Sequence, residues 1–85
     1  MAQKHPLKYR LLRKKLAAFG IREVKRRGKG SHRMFVGIVD GRTVKYPVTC
    51  HSENADVLPS VIEAIRRAFL LTADDGVSDN TFYGK

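Results

Sequence analysis

The segment Lys25-Arg26-Arg27-Gly28-Lys29-Gly30-Ser31-His32-Arg33 holds the densest set of phosphate-binding and proton-transfer groups in the chain. Glycines let backbone N–H groups approach a phosphate, and the cations around them add opposite charge. His32 supplies what those groups lack. An imidazole can take a proton from a ribose 2′-hydroxyl or return one to a leaving oxygen at neutral pH, the minimum for cutting RNA without a metal. The residues read as RNA-binding are therefore Arg26, Arg27, Lys29, Gly30, Ser31 and Arg33, with His32 beside the scissile bond. Ser31 has no base and orienting acid spaced around it, so it reads as a turn hydroxyl and not as a nucleophile. His5 and His51 read as incidental, and neither is spaced with carboxylates as a metal ligand would be. Cys50 is the only cysteine, which leaves no internal disulfide and no zinc site to staple the fold. No cofactor and no metal are expected.

Charge points the same way. Seventeen Lys or Arg against eight Asp or Glu give a net charge of +9, and a polyanion is the first partner to consider. The balance is uneven along the chain: residues 1–50 carry fourteen basic and two acidic residues, and residues 51–85 carry three and six. The basic part is expected to meet phosphate while the acidic remainder faces away or meets another protein. Eighty-five residues suit one domain. No apolar run is long enough for a membrane span, and residues 1–6 lack the pattern of a secretory signal, so a cytoplasmic location is expected.

The elements that must position these groups follow from periodicity. Over residues 7–19, Tyr9, Leu12, Leu16 and Phe19 recur on one side, predicting an amphipathic helix with Arg10, Arg13 and Lys14 opposite and a Gly20 C-cap. Residues 21–27 read as an edge strand guarded by charges. After the basic turn, residues 32–39 predict a second strand; Asp40-Gly41 predicts a tight hairpin; and a third strand runs through Thr43, Val44, Tyr46 and Val48, weakened near Pro47. Ser60-Val-Ile-Glu63 matches a capping box opening a last helix, with Val61, Ile62, Ile65, Ala68 and Phe69 on one face. The expected fold is α+β, ordered α-β-β-β-α: a three-stranded antiparallel sheet with two helices on one face and the other face open for binding. Its parts are a flexible N-terminus over 1–6, the domain over 7–71, and an acidic, polar tail over 72–85 in which Ser78 could cap a short turn.

The Gly30-Ser31-His32 motif opening the second strand, the basic turn before it, and the proline-containing strand end ahead of the last helix resemble the HicA toxin family over residues 7–71. That resemblance implies a fold like the double-stranded RNA-binding domain and a metal-independent endoribonuclease cleaving mRNA, the toxin of a type II toxin–antitoxin pair. It implies His32 as the catalytic residue and a HicB-like antitoxin as the neutralising partner. The sequence departs from the family pattern where Pro47-Val-Thr-Cys-His51 spaces its proline and histidine widely and where Ser60 follows Pro59. The same element order and charge also suit a non-catalytic double-stranded RNA-binding module. Such modules place a lysine cluster at the start of the last helix, where this chain has Ser60-Val-Ile-Glu63.

Overall fold

The computed structural model describes residues 4–25 and 32–84. The predicted α+β architecture is present, with small additions at both ends of the expected order. Leu7 and Lys8 do not begin the first helix: they form a short strand, β1 (Leu7–Lys8), antiparallel to β5 (Asp56–Val57). Helix α1 spans Tyr9–Ala18. No side chain at Lys8 can cap it, so its first N–H groups are met from a distant loop, Tyr9 donating to the Ala55 carbonyl at 2.9 Å and Arg10 to the Glu53 carbonyl at 3.0 Å. A helix start that looked local is thus a tertiary contact. At the other end Gly20 adopts φ +83° and the Ile21 N–H bonds the Leu16 carbonyl at 3.0 Å, the glycine-terminated close that the sequence predicts.

The sheet has the order β2-β3-β4, with β2 at Arg22–Lys25, β3 at His32–Val39 and β4 at Arg42–Thr49, each pair antiparallel. Asp40 and Gly41 link β3 to β4 with φ of +51° and +79°, the paired left-handed conformations that match the twist of a hairpin. Pro47 does not end β4. The strand lies at the sheet edge, where a missing N–H costs no ladder bond, and pairing continues to Thr49 opposite His32.

Side chains alternate across the sheet. Glu23, Arg33, Phe35, Gly37, Val44, Tyr46 and Val48 share the covered face, and the Phe35 ring stacks on Tyr9 of α1 at 5.9 Å between centroids. A Cβ at Gly37 would sit 2.9 Å from Ile21 Cγ1 and 3.3 Å from the Phe69 ring, so a glycine is what lets the chain after the second long helix lie on the strand. That helix, α2 (Pro59–Ala68), begins differently from the capping-box expectation. Leu58 is its N-cap, Pro59 is its first residue, and Ser60 makes no cap. Glu63 is occupied elsewhere, accepting from Tyr83 Oη at 2.7 Å and Arg66 Nη1 at 2.9 Å. Ile62, Ile65 and Phe69 are buried as expected, whereas Val61 is exposed.

Residues 72–84 are not a solvated tail. Thr72 and Asp75 form a capping box around a 3₁₀ turn at Ala73–Asp75, and Ser78 caps α3 (Asp79–Tyr83) by accepting from the Thr81 N–H at 3.0 Å. Phe82 and Tyr83 enter the same core as Leu12, Leu16, Ile62 and Ile65. The sequence reading missed this because two apolar residues among acids show no periodicity. Arg66 ties the segment down: fully buried, it donates from Nε to the Leu71 carbonyl at 2.8 Å, from Nη2 to the Val77 carbonyl at 2.7 Å, and from Nη1 to Asp79 at 2.8 Å.

Arg66→Ala removes the buried donor shared by two carboxylates and two carbonyls, and is expected to cost about 3–5 kcal/mol in urea denaturation; Phe82→Ala is expected to cost about as much through its cavity. Losses well below 1 kcal/mol in both would show the C-terminal segment to be an appendage. Burial pushes the Glu63 carboxyl up, but the hydrogen bonds from Tyr83, Arg66 and Lys4 outweigh it and hold the group below the usual carboxylate value. Its folded value lies below its unfolded one, so its stabilising effect is complete above the ordinary carboxylate range and is lost as pH falls through the folded value. Glu63→Gln should therefore flatten the acid limb of a stability–pH curve.

Candidate active site

His32 is the first residue of β3, its side chain exposed and its Cα paired with Thr49 at the end of β4. Of the cationic and glycine residues read as its neighbours, Arg26, Arg27, Lys29, Gly30 and Ser31 lie outside the described residues. Arg33 is described, and it is not where the sequence reading put it. Successive strand residues point to opposite faces, so Arg33 turns to the covered side while His32 does not. There it donates from Nη1 to Glu23 Oε2 at 3.0 Å and reaches Glu53 Oε2 at 3.5 Å, with only 13% of its side chain exposed. Arg33 is a structural cation.

Arg33 belongs to a four-charge cluster that fixes the surroundings of His32. The Glu23 carboxylate accepts from Tyr9 Oη at 2.5 Å as well as from Arg33, and Arg13 of α1 approaches it at 3.5 Å. Arg13 also clasps Glu53 through both of its terminal nitrogens. Burial first, then the bond to Glu23, pushes the Tyr9 hydroxyl far above the ordinary tyrosine value, so it stays protonated as a donor. The hydrogen bond from Arg13 holds Glu53 below the usual carboxylate range. Cys50, whose thiol donates to Glu53 Oε2 at 3.8 Å, is buried, and that burial pushes the thiol up.

A cavity of ≈ 700 Å³ opens beside His32. Its lining includes Pro47, Thr49, Tyr46 and Val48, residues from both faces of β4, so it follows that strand's free edge. The rest of the lining is largely apolar, with Leu58 at the N-cap of α2, Val61 and Ile65 along it, and Leu12 from α1. His51, two residues past the end of β4, lines the same cavity as His32. The sequence reading set His51 aside; the strand register was the signal that could have found it, since Thr49 opposite His32 brings residue 51 to the same end of the sheet. The size suits a nucleotide-scale ligand.

The uncovered sheet face extends from His32 and carries two further cations the sequence reading did not single out. Arg22 and Lys45 flank Val36 in one cross-strand row, both exposed and neither in an ion pair among the described residues. Met34 and Val24 lie one row nearer the cavity end, and Ile38 is 69% exposed on the other side.

No family model, curated protein or solved structure matches this chain. Among the described residues, no helix is long and apolar enough to cross a membrane, and no group of three or more His, Cys, Asp or Glu is placed to hold a metal ion.

The opposite placements of Arg33 and Arg22 generate a stability test. Arg33→Ala deprives Glu23 of a charged donor and is expected to cost about 1.5–3 kcal/mol in thermal or urea denaturation, while Arg22→Ala should stay within about 0.5 kcal/mol of the parent. Equal effects would mean that Arg33 is not held in the cluster.

Proposed function

We propose that this chain is a metal-independent endoribonuclease of the toxin class its Gly-Ser-His motif resembles, with His32 as general base. The observation that carries the proposal is the position of His32: an exposed imidazole lining a nucleotide-sized cavity and sharing a sheet face with two exposed cations, Arg22 and Lys45. Single-stranded RNA crosses the open face with its phosphates near Arg22 and Lys45, and the basic segment of sequence before His32 supplies cations for the phosphates that follow. His32 takes the proton of a ribose 2′-hydroxyl; the 2′-oxygen attacks the adjacent phosphorus; the bond from phosphorus to the 5′-oxygen breaks. The products carry a 2′,3′-cyclic phosphate and a 5′-hydroxyl. Nearby cations stabilise the extra negative charge that develops on the phosphoryl oxygens.

A free ribonuclease endangers its own cell, so a dedicated inhibitor belongs to the proposal. A HicB-like antitoxin with an acidic face would cover His32 and the cationic sheet. The alternative of a passive duplex-binding module gains nothing from α2, whose first turn, Pro59-Ser60-Val61, offers no cation to reach across a groove.

His32→Ala is expected to lower the cleavage rate by roughly 10²- to 10⁴-fold and to relieve growth inhibition, with RNA affinity nearly unchanged and cleavage by the parent insensitive to chelator. Cleavage by the variant at the parental rate would overturn the assignment, and retention of duplex RNA without any cutting would favour the passive module. Replacing Arg22 or Lys45 with alanine should weaken binding to all single strands alike and reduce the slope of log affinity against log salt by about 0.7 per lost phosphate contact.

A further inference from the structure

The ribonuclease chemistry above leaves one proton unaccounted for. When the bond to the 5′-oxygen breaks, the departing alkoxide needs a proton, and a base that has just accepted one at the 2′-oxygen is on the wrong side of the phosphorus to supply it. A second group must do so, and it has to reach the same cavity.

We infer that His51 is that group: a general acid that acts with His32 in the cavity they both line, at the end of β4. This rests on the ribonuclease reading and adds to it a residue outside the Gly-Ser-His motif, one that the sequence reading took as incidental. Thr49 pairs with His32, so the chain leaving β4 passes His32 on its way to residue 51, and both imidazoles line one cavity. The loop that carries His51 is held in place on its far side. Ala55 and Glu53 cap the first turn of α1 with their carbonyls; the Glu53 side chain is clasped by Arg13; and Asp56 pairs with Lys8 at 3.1 Å. His51 itself is exposed, so its imidazole is presented by a fixed loop and not consumed in holding the fold.

Other ionisable groups along the cavity are poorer donors. The Tyr9 hydroxyl is committed to Glu23, and burial and that bond keep its proton in place. Tyr46 offers a phenol, which as a class gives up its proton far above neutral pH. Asp56 is a carboxylate matched to Lys8. An imidazole is the side chain suited to hold a proton and release it near neutrality. In the complete step, His32 gains the 2′-hydroxyl proton, the oxygen–phosphorus bond to the 2′-oxygen forms, the bond to the 5′-oxygen breaks, and the Nε2 or Nδ1 proton of His51 goes to that oxygen. No electrons leave or enter, and a later proton exchange with water resets the pair.

The test uses the full chain and an oligoribonucleotide with a mapped cleavage position, made once with the natural 5′-oxygen and once with a bridging 5′-sulfur at that linkage. A thiolate leaves without being protonated, so a missing general acid matters for the oxygen substrate only. His51→Ala is expected to cut the oxygen substrate roughly 10²- to 10⁴-fold more slowly while recovering toward the parental rate on the sulfur substrate. His32→Ala should be slow on both. The parental pH–rate profile should be bell-shaped, and His51→Ala should lose its descending alkaline limb, since that limb reports deprotonation of the acid. Circular dichroism and melting of the variant check that the exposed substitution leaves the fold intact. Parental rates for His51→Ala on the oxygen substrate, or equal losses on both substrates, would overturn the acid assignment while leaving His32 standing. If His32→Ala also cleaves normally, or the parent chain cuts no RNA, the underlying ribonuclease reading falls and the pair falls with it.

Discussion

The carboxylate of Glu23 is the contact on which the arrangement of the site depends. It is only 10% exposed, and a carboxylate so placed must be matched by donors. Those donors come from separate parts of the chain: Tyr9 and Arg13 from α1, Arg33 from β3. Arg13 and Arg33 then reach on to Glu53 in the loop after β4. One buried negative charge thereby fixes the helix that forms a cavity wall, the strand that begins with His32, and the loop that carries His51. The charges in the cluster balance, two guanidinium groups against two carboxylates, so the cluster is satisfied internally and leaves the excess positive charge of the chain to the surface.

Arg66 plays the corresponding part at the other end of the molecule. Its guanidinium closes α2 onto residues 71–79, and its plane lies 5.0 Å from the Phe82 ring centroid, where an aromatic face attracts a cation. That contact sets where α2 sits, and the first turn of α2 supplies Leu58 and Val61 to the cavity. Phe82 also stacks on Phe19 at 6.0 Å, linking the C-terminal turn to the end of α1. The acidic segment therefore completes the core.

The parts of the fold legible in the sequence were those whose signals are local. Residues 32–39 alternate and branch as a strand should; Asp40-Gly41 has few conformations besides a tight hairpin; and Gly20 followed by Ile21 closes a helix in a known way. What was not legible depended on distant partners. Leu7 and Lys8 fit the helical pattern of residues 7–19 but pair with β5, because the carbonyls of Ala55 and Glu53 occupy the helix start. Ser60 and Glu63 have the right spacing for a capping box, yet Glu63 is drawn away by Arg66 and Tyr83. The same limit applied to the site. His32 stood out through its neighbours in sequence, but Arg33 was taken from the phosphate-binding set by strand alternation, and His51 entered only through a register that no local pattern displays.

Together these contacts leave the chain with neutralised interior charges, a cationic outer face, and two histidines, His32 and His51, lining one cavity. The proposed ribonuclease reaction, attack by a neighbouring hydroxyl on a bound phosphodiester, requires that the hydroxyl be part of the substrate. The most direct measurement compares one oligonucleotide sequence made as RNA and as its 2′-deoxy counterpart, incubated with the purified chain in chelator and resolved by mass spectrometry. The RNA is expected to yield fragments ending in a 2′,3′-cyclic phosphate and beginning with a 5′-hydroxyl, with the deoxy strand bound but intact. Cleavage of both strands, or fragments bearing a 5′-phosphate, would contradict a 2′-hydroxyl mechanism at His32.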